Sequence, residues 1–313
     1  MERKFSPEST SRNSLKLLSI ITLISAFSQV ALGGYVRSSE SGLGCPDWPL
    51  CHGQLIPPME FHTLIEYSHR LNASLLMVFV VALLVLSWAR YRDEKSVLIL
   101  SGSAVGLVLS VAILGGITVL TELAWWVRLI HLTLAEILIG TIVGVVWLAF
   151  SPKVPNSATM RPIYTPKWKI KLWLIAVGLL LLIVSGSYMV GIGAGSACAS
   201  WPLCRGDLFP QGSTYAIHMG HRYIAALMLV VAGYIGWSFM KKDGDIPGLK
   251  RASMGLIHSM LLQIIIGAVL VWSGFDPALK TIHLALATLI WIAAIYLISC
   301  VLQSNSRYLR SQV

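Results

Sequence analysis

The chain has 313 residues, of which 56% are hydrophobic and 12% charged. Average globular chains carry about 25% charged residues, so this composition excludes an ordinary soluble enzyme, a nucleic-acid reader or a disordered tail. The formal charge of +10, from 24 Lys and Arg against 14 Asp and Glu, falls in short clusters between long apolar runs, which is the pattern of an integral membrane protein.

Eight apolar runs reach the roughly 20 residues needed to cross a bilayer. In chain order they are Leu15 to Val36, Leu64 to Trp88, Val97 to Leu120, Val127 to Phe150, Leu172 to Ile192, Ala216 to Met240, Ala252 to Trp272 and Leu279 to Leu302. None alternates in the manner of a barrel strand, so each predicts a helix that satisfies its own backbone in lipid. Of the 24 Lys and Arg, 18 fall on the side of the two termini and 6 on the other (Arg37, Arg70, Arg128, Arg205, Arg222 and Lys280). That split places both termini in the cytoplasm and requires an even number of helices. Glu2 and Glu8, with no Ala-x-Ala-like site after the first run, speak against a cleaved leader.

The chain is written twice. Cys45 to Pro57 reads CPDWPLCHGQLIP, and Cys198 to Pro210 reads CASWPLCRGDLFP, identical at 8 of 13 positions at an offset of 153. EYSHR at Glu66 to Arg70 meets HMGHR at His218 to Arg222, and LIHLTLAE around His131 meets TIHLALAT around His283, both at an offset of 152. The expectation is an all-α membrane protein of eight transmembrane helices in two similar four-helix bundles, residues 1–155 and 156–313, as a parallel internal repeat.

Four histidines repeat with the halves. His69 to His131 and His221 to His283 are each separated by 62 residues. Each lies four or five residues past the start of its apolar run, about 6 to 8 Å along the axis. Two imidazoles at one depth on neighbouring helices are what a planar iron porphyrin needs for axial ligation. Arg128 and Lys280 stand three residues before His131 and His283, while Arg70 and Arg222 directly follow His69 and His221. These cations either snorkel to the interface or meet porphyrin propionates. The halves differ at Glu66, three residues before His69, where the second half has His218. Glu66 is either a proton-transfer group beside the first site or a helix-end charge favoured by the macrodipole. His258 belongs to the cytoplasmic end, and His52 and His62 read as solvated or loop-packing residues. Glu136 is an intramembrane acid and so a functional suspect, although five residues from His131 is a poor same-face spacing.

Four of the five cysteines lie in the non-cytoplasmic loops, and Cys45–Cys51 and Cys198–Cys204 are expected disulfides. A zinc site has the wrong spacing, and a redox-active pair at Cys45 and Cys51 is the sharper alternative. Cys300 reads as a packing residue. Gly115, Gly116 and the glycines from Gly186 to Gly195 are expected to let helices approach closely.

Together, Glu-x-x-His-Arg in the second helix, single histidines in the fourth, sixth and eighth, and paired loop cysteines resemble the haem A synthase family of the cysteine-containing bacterial kind. The resemblance covers nearly the whole chain. It implies oxidation of the C8 methyl of haem O to a formyl group, with His69 and His131 holding the substrate haem. It further implies His221 and His283 as ligands of a resident haem b, and Glu66 as the catalytic carboxylate. The expected partners are haem O, a haem O synthase, an electron donor or acceptor and the lipid of a bacterial plasma membrane. Homo-oligomerisation is left open. A two-haem electron-transfer cytochrome would share the histidines without needing Glu66. A transporter on parallel repeats would place its titratable groups at the midplane, whereas here they crowd one end.

Overall fold

A computed structural model describes residues 7–151, 166–242 and 247–310. The apolar runs become eight helices: α1 Pro7–Ser38, α2 Phe61–Arg90, α3 Lys95–Leu120, α4 Trp125–Phe150, α5 Pro166–Gly191, α6 Ser213–Lys242, α7 Pro247–Trp272 and α8 Pro277–Arg310. Each contains a stretch long and apolar enough to cross a membrane. The only β structure among the described residues is an isolated bridge in each cysteine loop, Cys51 with Gln54 and Cys204 with Asp207. The expected boundary near residue 155 lies outside the described residues.

The helices outrun the hydropathy. α1 begins eight residues before Leu15 and α8 ends eight residues after Leu302. Hydropathy marks the stretch that meets hydrocarbon, while the hydrogen-bond ladder continues through polar turns until a cap or proline stops it. Asp276 starts α8 in this way: its Oδ1 accepts the Leu279 N–H at 3.0 Å, with Pro277 at the first helical position. The histidines accordingly lie deeper in their helices than the apolar runs suggest. His69 and His221 come eight residues after Phe61 and Ser213, and His131 and His283 six after Trp125 and Pro277. At 1.5 Å per residue these are about 12 and 9 Å.

Helix packing has a simple plan. Within the first half α1 meets α2 and α4, α2 meets α3, and α3 meets α4; the second half shows the same pairs among α5 to α8. Between halves α1 packs on α8, α4 on α5 and α4 on α8. The set of contacts is unchanged when α1–α4 are exchanged for α5–α8. The main buried cluster lies along this seam, with Ile139, Ile142 and Val143 of α4, Leu172 and Ile175 of α5, and Trp291, Ala294 and Ile298 of α8. Val78, Ile99, Leu174, Leu227, Val230 and Ile265 instead stay exposed, which is the surface that lipid covers. At the end away from the cysteine loops, Arg12 of α1 donates to the carbonyls of Leu148, Ala149 and Ser151 at the close of α4 and pairs with Glu94 at 3.1 Å. A cation there meets both orphan carbonyls and the negative end of the helix dipole.

Polar contacts are buried in the seam around Glu136. Thr288 Oγ1 of α8 donates to Glu136 Oε1 at 2.7 Å, and Trp291 Nε1 donates to the Glu136 carbonyl at 2.8 Å. Glu136 and Thr288 are matched positions at the offset of 152, so a residue here touches its own counterpart. Both side chains are fully buried, and Glu136 Oε2 has no hydrogen-bond partner. Removing one partner of such a pair costs more than removing both, because a stranded polar atom keeps its desolvation penalty. Thr288→Val should therefore lower stability by about 1–3 kcal/mol, and adding Glu136→Leu should recover part of the loss. Thermal unfolding in detergent reads both effects, and a double variant less stable than Thr288→Val alone would reject the pairing.

Candidate functional site

Each of the four repeated histidines rests against a glycine on the preceding helix. A Cβ added at Gly33 of α1 would lie 3.0 Å from His69 Cε1, and one at Gly186 of α5 would lie 3.0 Å from His221 Cε1. At Gly115 of α3 and Gly267 of α7 the distances to His131 and His283 Cε1 would be 3.3 and 3.2 Å. Gly115 and Gly186 were expected to serve helix–helix approach; what they admit is the imidazole itself. His69 and His131 are close enough to interact electrostatically, and so are His221 and His283. His221 and His283 also share the wall of one cavity.

The surroundings of the two pairs differ. In the first half His69 Nε2 meets Gln29 Nε2 at 3.2 Å, which makes Gln29 the donor. Gln29 Oε1 accepts from Asn72 Nδ2 at 2.8 Å, and Asn72 also bonds the Ser25 carbonyl at 3.1 Å. The matched positions in the second half are Leu182, Ile224 and Gly178, which carry no polar side chain. There His221 Nδ1 meets the Ser185 hydroxyl at 2.8 Å instead. That bond leaves Nε2 as the nitrogen for a metal, the usual division of labour in a ligating histidine. Nδ1 of His69 and His283 is buried without a partner.

A cavity of about 700 Å³ surrounds the second pair, lined by His221, His283 and Gln263 and by apolar residues of α5 to α8. Pockets of 300–1,000 Å³ with mostly apolar walls and a few polar groups are typical of sites that enclose a small organic ligand. Histidine nitrogens unpartnered or singly held at such a wall, each over a glycine, fit an axially ligated porphyrin. Among the described residues no cluster of three or more His, Cys, Asp or Glu forms an alternative metal site.

The cysteine loops bolt onto the same end. Cys45–Cys51 and Cys198–Cys204 are disulfides, with Cα separations of 4.7 and 5.0 Å, and Cys300 is free. Both turns place the residue after the second cysteine in the left-handed region, His52 and Arg205, followed by Gly53 and Gly206. Asp47 closes the first turn by accepting the His52 and Gly53 N–H groups at 2.6 and 2.8 Å, and the Gly53 bond above all holds its carboxyl below the usual carboxylate range. Ser200 takes that place in the second loop. His52 and His62 bond the Gly44 carbonyl and the Ser41 hydroxyl, as loop-packing residues do, and His258 is exposed near the opposite end.

Arg70 and Arg222 are committed to these loops. Arg70 donates to the carbonyls of Cys45, Asp47 and Leu50 at 2.6–2.8 Å, and its Nε pairs with Glu66 at 3.1 Å. Arg222 donates to the carbonyls of Cys198, Ser200 and Pro202 and to His218 Nε2 at 3.1 Å. Since His218 Nε2 accepts, its Nδ1 is the donor to the Ala194 carbonyl at 3.1 Å, and both ring nitrogens are in use. Arg128 and Lys280 do line the cavity of the second pair, joined by Arg37, which sequence reasoning counted among the six outer cations without giving it a role. Glu66 is 6% exposed, held by Arg70 beneath the first disulfide loop. A buried carboxylate with one charged partner is a group able to exchange a proton with a neighbour.

Membrane-spanning helices carrying two paired-histidine sites beside disulfide-closed loops define the class. Residues 16–295 match the cytochrome oxidase assembly protein family COX15-CtaA, and the chain belongs to that family. It is 26% identical to a heme A synthase of Exiguobacterium, covering 82% of this chain and 83% of that protein. Identity is 28% to those named heme A synthase in Alkalihalophilus pseudofirmus (81% and 94% covered) and Macrococcus caseolyticus (91% and 96%).

The arginine grip makes a measurable difference. Arg70→Met should free the first loop, so that Cys45–Cys51 is reduced several-fold faster by a soluble phosphine while Cys198–Cys204 is unaffected. Without reductant, alkylation followed by mass mapping should modify Cys300 alone; equal reduction rates in wild type and variant would show that Arg70 does not secure the loop.

Proposed function

We propose that the chain is a haem A synthase, a multi-pass membrane enzyme that converts the C8 methyl of haem O to a formyl group. The observation that carries this reading is the asymmetry between two otherwise matching histidine sites. The first site has Glu66 and the Gln29–Asn72–Ser25 network, and the second has a neutral His218 and apolar counterparts. A protein that only moved electrons between two haems would have no use for that difference, and the relatives are named as synthases rather than cytochromes.

In this reading His69 and His131 hold the substrate haem, and His221 and His283 hold a resident haem b. The Gln29 bond to His69 Nε2 is one that an incoming iron must displace, as suits an exchangeable ligand. The Ser185 bond to His221 Nδ1 needs no such displacement and suits a resident one. Bound haem supplies the one-electron and oxygen chemistry that side chains lack. The protein's part is to orient the ring and handle protons. Two successive hydroxylations of the methyl, each removing two electrons that pass to dioxygen or to the redox partner and inserting an oxygen from dioxygen or water, would give a geminal diol, which loses water to the aldehyde. Glu66 takes up a proton at its carboxylate during C–H oxidation, while Arg70 keeps that carboxylate in place. The charge distribution supports cytoplasmic termini in a bacterial plasma membrane, with the disulfides on the oxidising side. The repeat supports a first half, residues 1–155, for the substrate and a second, 156–313, for the cofactor. A haem O synthase as supplier and a redox partner follow from the reaction.

Glu66→Gln keeps shape and removes the ionisable oxygen. Bound haem b should stay near the wild-type level, while haem A production falls by about 10² to 10⁴, the usual contribution of a positioned acid–base group. Extracted pigment should then contain haem O or a hydroxylated intermediate; haem A formed at the normal rate would return Glu66 to a structural charge. By contrast, His221→Ala or His283→Ala should lower haem b content and the low-spin absorption. Unchanged spectra in both variants would reject the second-half site.

A further inference from the structure

The cavity of the second histidine pair is not built by the second half alone. Its wall includes Arg37, in the last turn of α1, and Arg128, in the first turn of α4. The two guanidiniums are close enough to repel each other. Arg128 Nε is buried and has no hydrogen-bond partner. Among the described residues neither arginine forms an ion pair, although Glu40, an exposed carboxylate, stands on the same rim. Of the other cations that line the cavity, Arg222 is spent on loop carbonyls and His218, and Lys280 is exposed.

Two like charges side by side at a largely apolar wall, with unused donors, are unfavourable until an anion joins them. A guanidinium pair presents planar forks of N–H groups that match carboxylate oxygens. We propose that Arg37 and Arg128 bind the dicarboxylate edge of the macrocycle held by His221 and His283. The second half then supplies the axial ligands, and the first half supplies the grip on the anionic edge. This rests on the haem reading of the second pair given above. It also reassigns Arg128, whose place three residues before His131 suggested a propionate contact for the first-half haem. A consequence follows for assembly: the bound macrocycle bridges the seam between α1 and α4 on one side and α5 to α8 on the other, so its loss loosens the two halves from each other.

The test compares haem b with its dimethyl ester, which keeps the iron and ring but lacks both carboxylate charges. In detergent-purified protein carrying His69→Ala and His131→Ala, only the second pair reports, and the low-spin bis-histidine absorption is followed during titration with each porphyrin. With both arginines present the diacid should bind at least about tenfold more tightly than the diester, the scale of a charge-assisted hydrogen bond. Arg37→Gln with Arg128→Gln should abolish most of that preference while leaving diester affinity unchanged. A preference that survives in the double variant overturns the proposal. Should neither porphyrin give a bis-histidine spectrum in the parent, the haem assignment of the second pair is what fails. If the histidine background does not fold, release from otherwise wild-type protein to apomyoglobin gives the same answer. The arginine variant should then release haem b about tenfold faster and the diester at an unchanged rate, and equal acceleration of both would overturn the proposal.

Discussion

An imidazole can stand between two tightly packed helices only where the facing helix has no side chain at the point of contact. Four glycines meet that condition here, and each leaves room for one ring and little else. At Gly33 and Gly186 even a methyl group would sit 3.0 Å from the ring carbon, inside ordinary van der Waals separation. The glycine therefore fixes the distance between helices and the ring at once. Everything else at this end is arranged around rings held in that way: the cavity wall, the loop that covers it and the arginine that pins the loop. In lipid, where apolar burial gives helices little reason to associate, such close steric fits carry much of the association.

On this matched frame the differences between halves become informative, because the scaffold requirement has already been met twice. Both halves need an arginine to gather the carbonyls of the disulfide loop, and both have one. The group that shares that arginine is a carboxylate in the first half and a neutral imidazole in the second. Either satisfies the arginine, so packing alone does not demand the carboxylate. The same holds one turn further in, where Gln29, Asn72 and Ser25 stand opposite Leu182, Ile224 and Gly178. Polar side chains in a membrane interior are costly and are kept where they do something. Two independent polar substitutions in the same half, on either side of the same histidine, are differences that the shared scaffold does not require.

Much of this was legible in the sequence. Long apolar runs identified the helices, since nothing else satisfies a backbone in lipid, and the offset of 152 to 153 matched the histidines before any contact was known. The helix ends were misjudged because hydropathy reports the solvent outside the helix and not the ladder inside it. Arg70 and Arg222 were harder still. A residue adjacent to a histidine in sequence points about 100° away from it on the helix, and which loop waits there depends on how residues 45–51 and 198–204 fold. Glycine partners such as Gly33 and Gly267 lie on a different helix from their histidines, at separations that no local pattern encodes. A cavity with walls from both halves is likewise a property of the seam and not of either repeat.

The seam also gives the chain something that two separate bundles would lack. Helix α4 faces α5 and α8 on one side and α1 and α3 on the other, so a side chain at its disulfide end belongs to both halves. Arg128 stands at that end while Glu136 lies two turns deeper, against Thr288. A group docked between Arg128 and His283 therefore bears on the helix that also carries His131. A shared rigid helix fixes the spacing of the two histidine pairs more firmly than a linker between independent domains would. The buried Glu136–Thr288 contact, made by a residue with its own counterpart, sets the register of that helix pair. Polar contacts of this kind select one alignment among several of similar apolar packing, at some cost in stability.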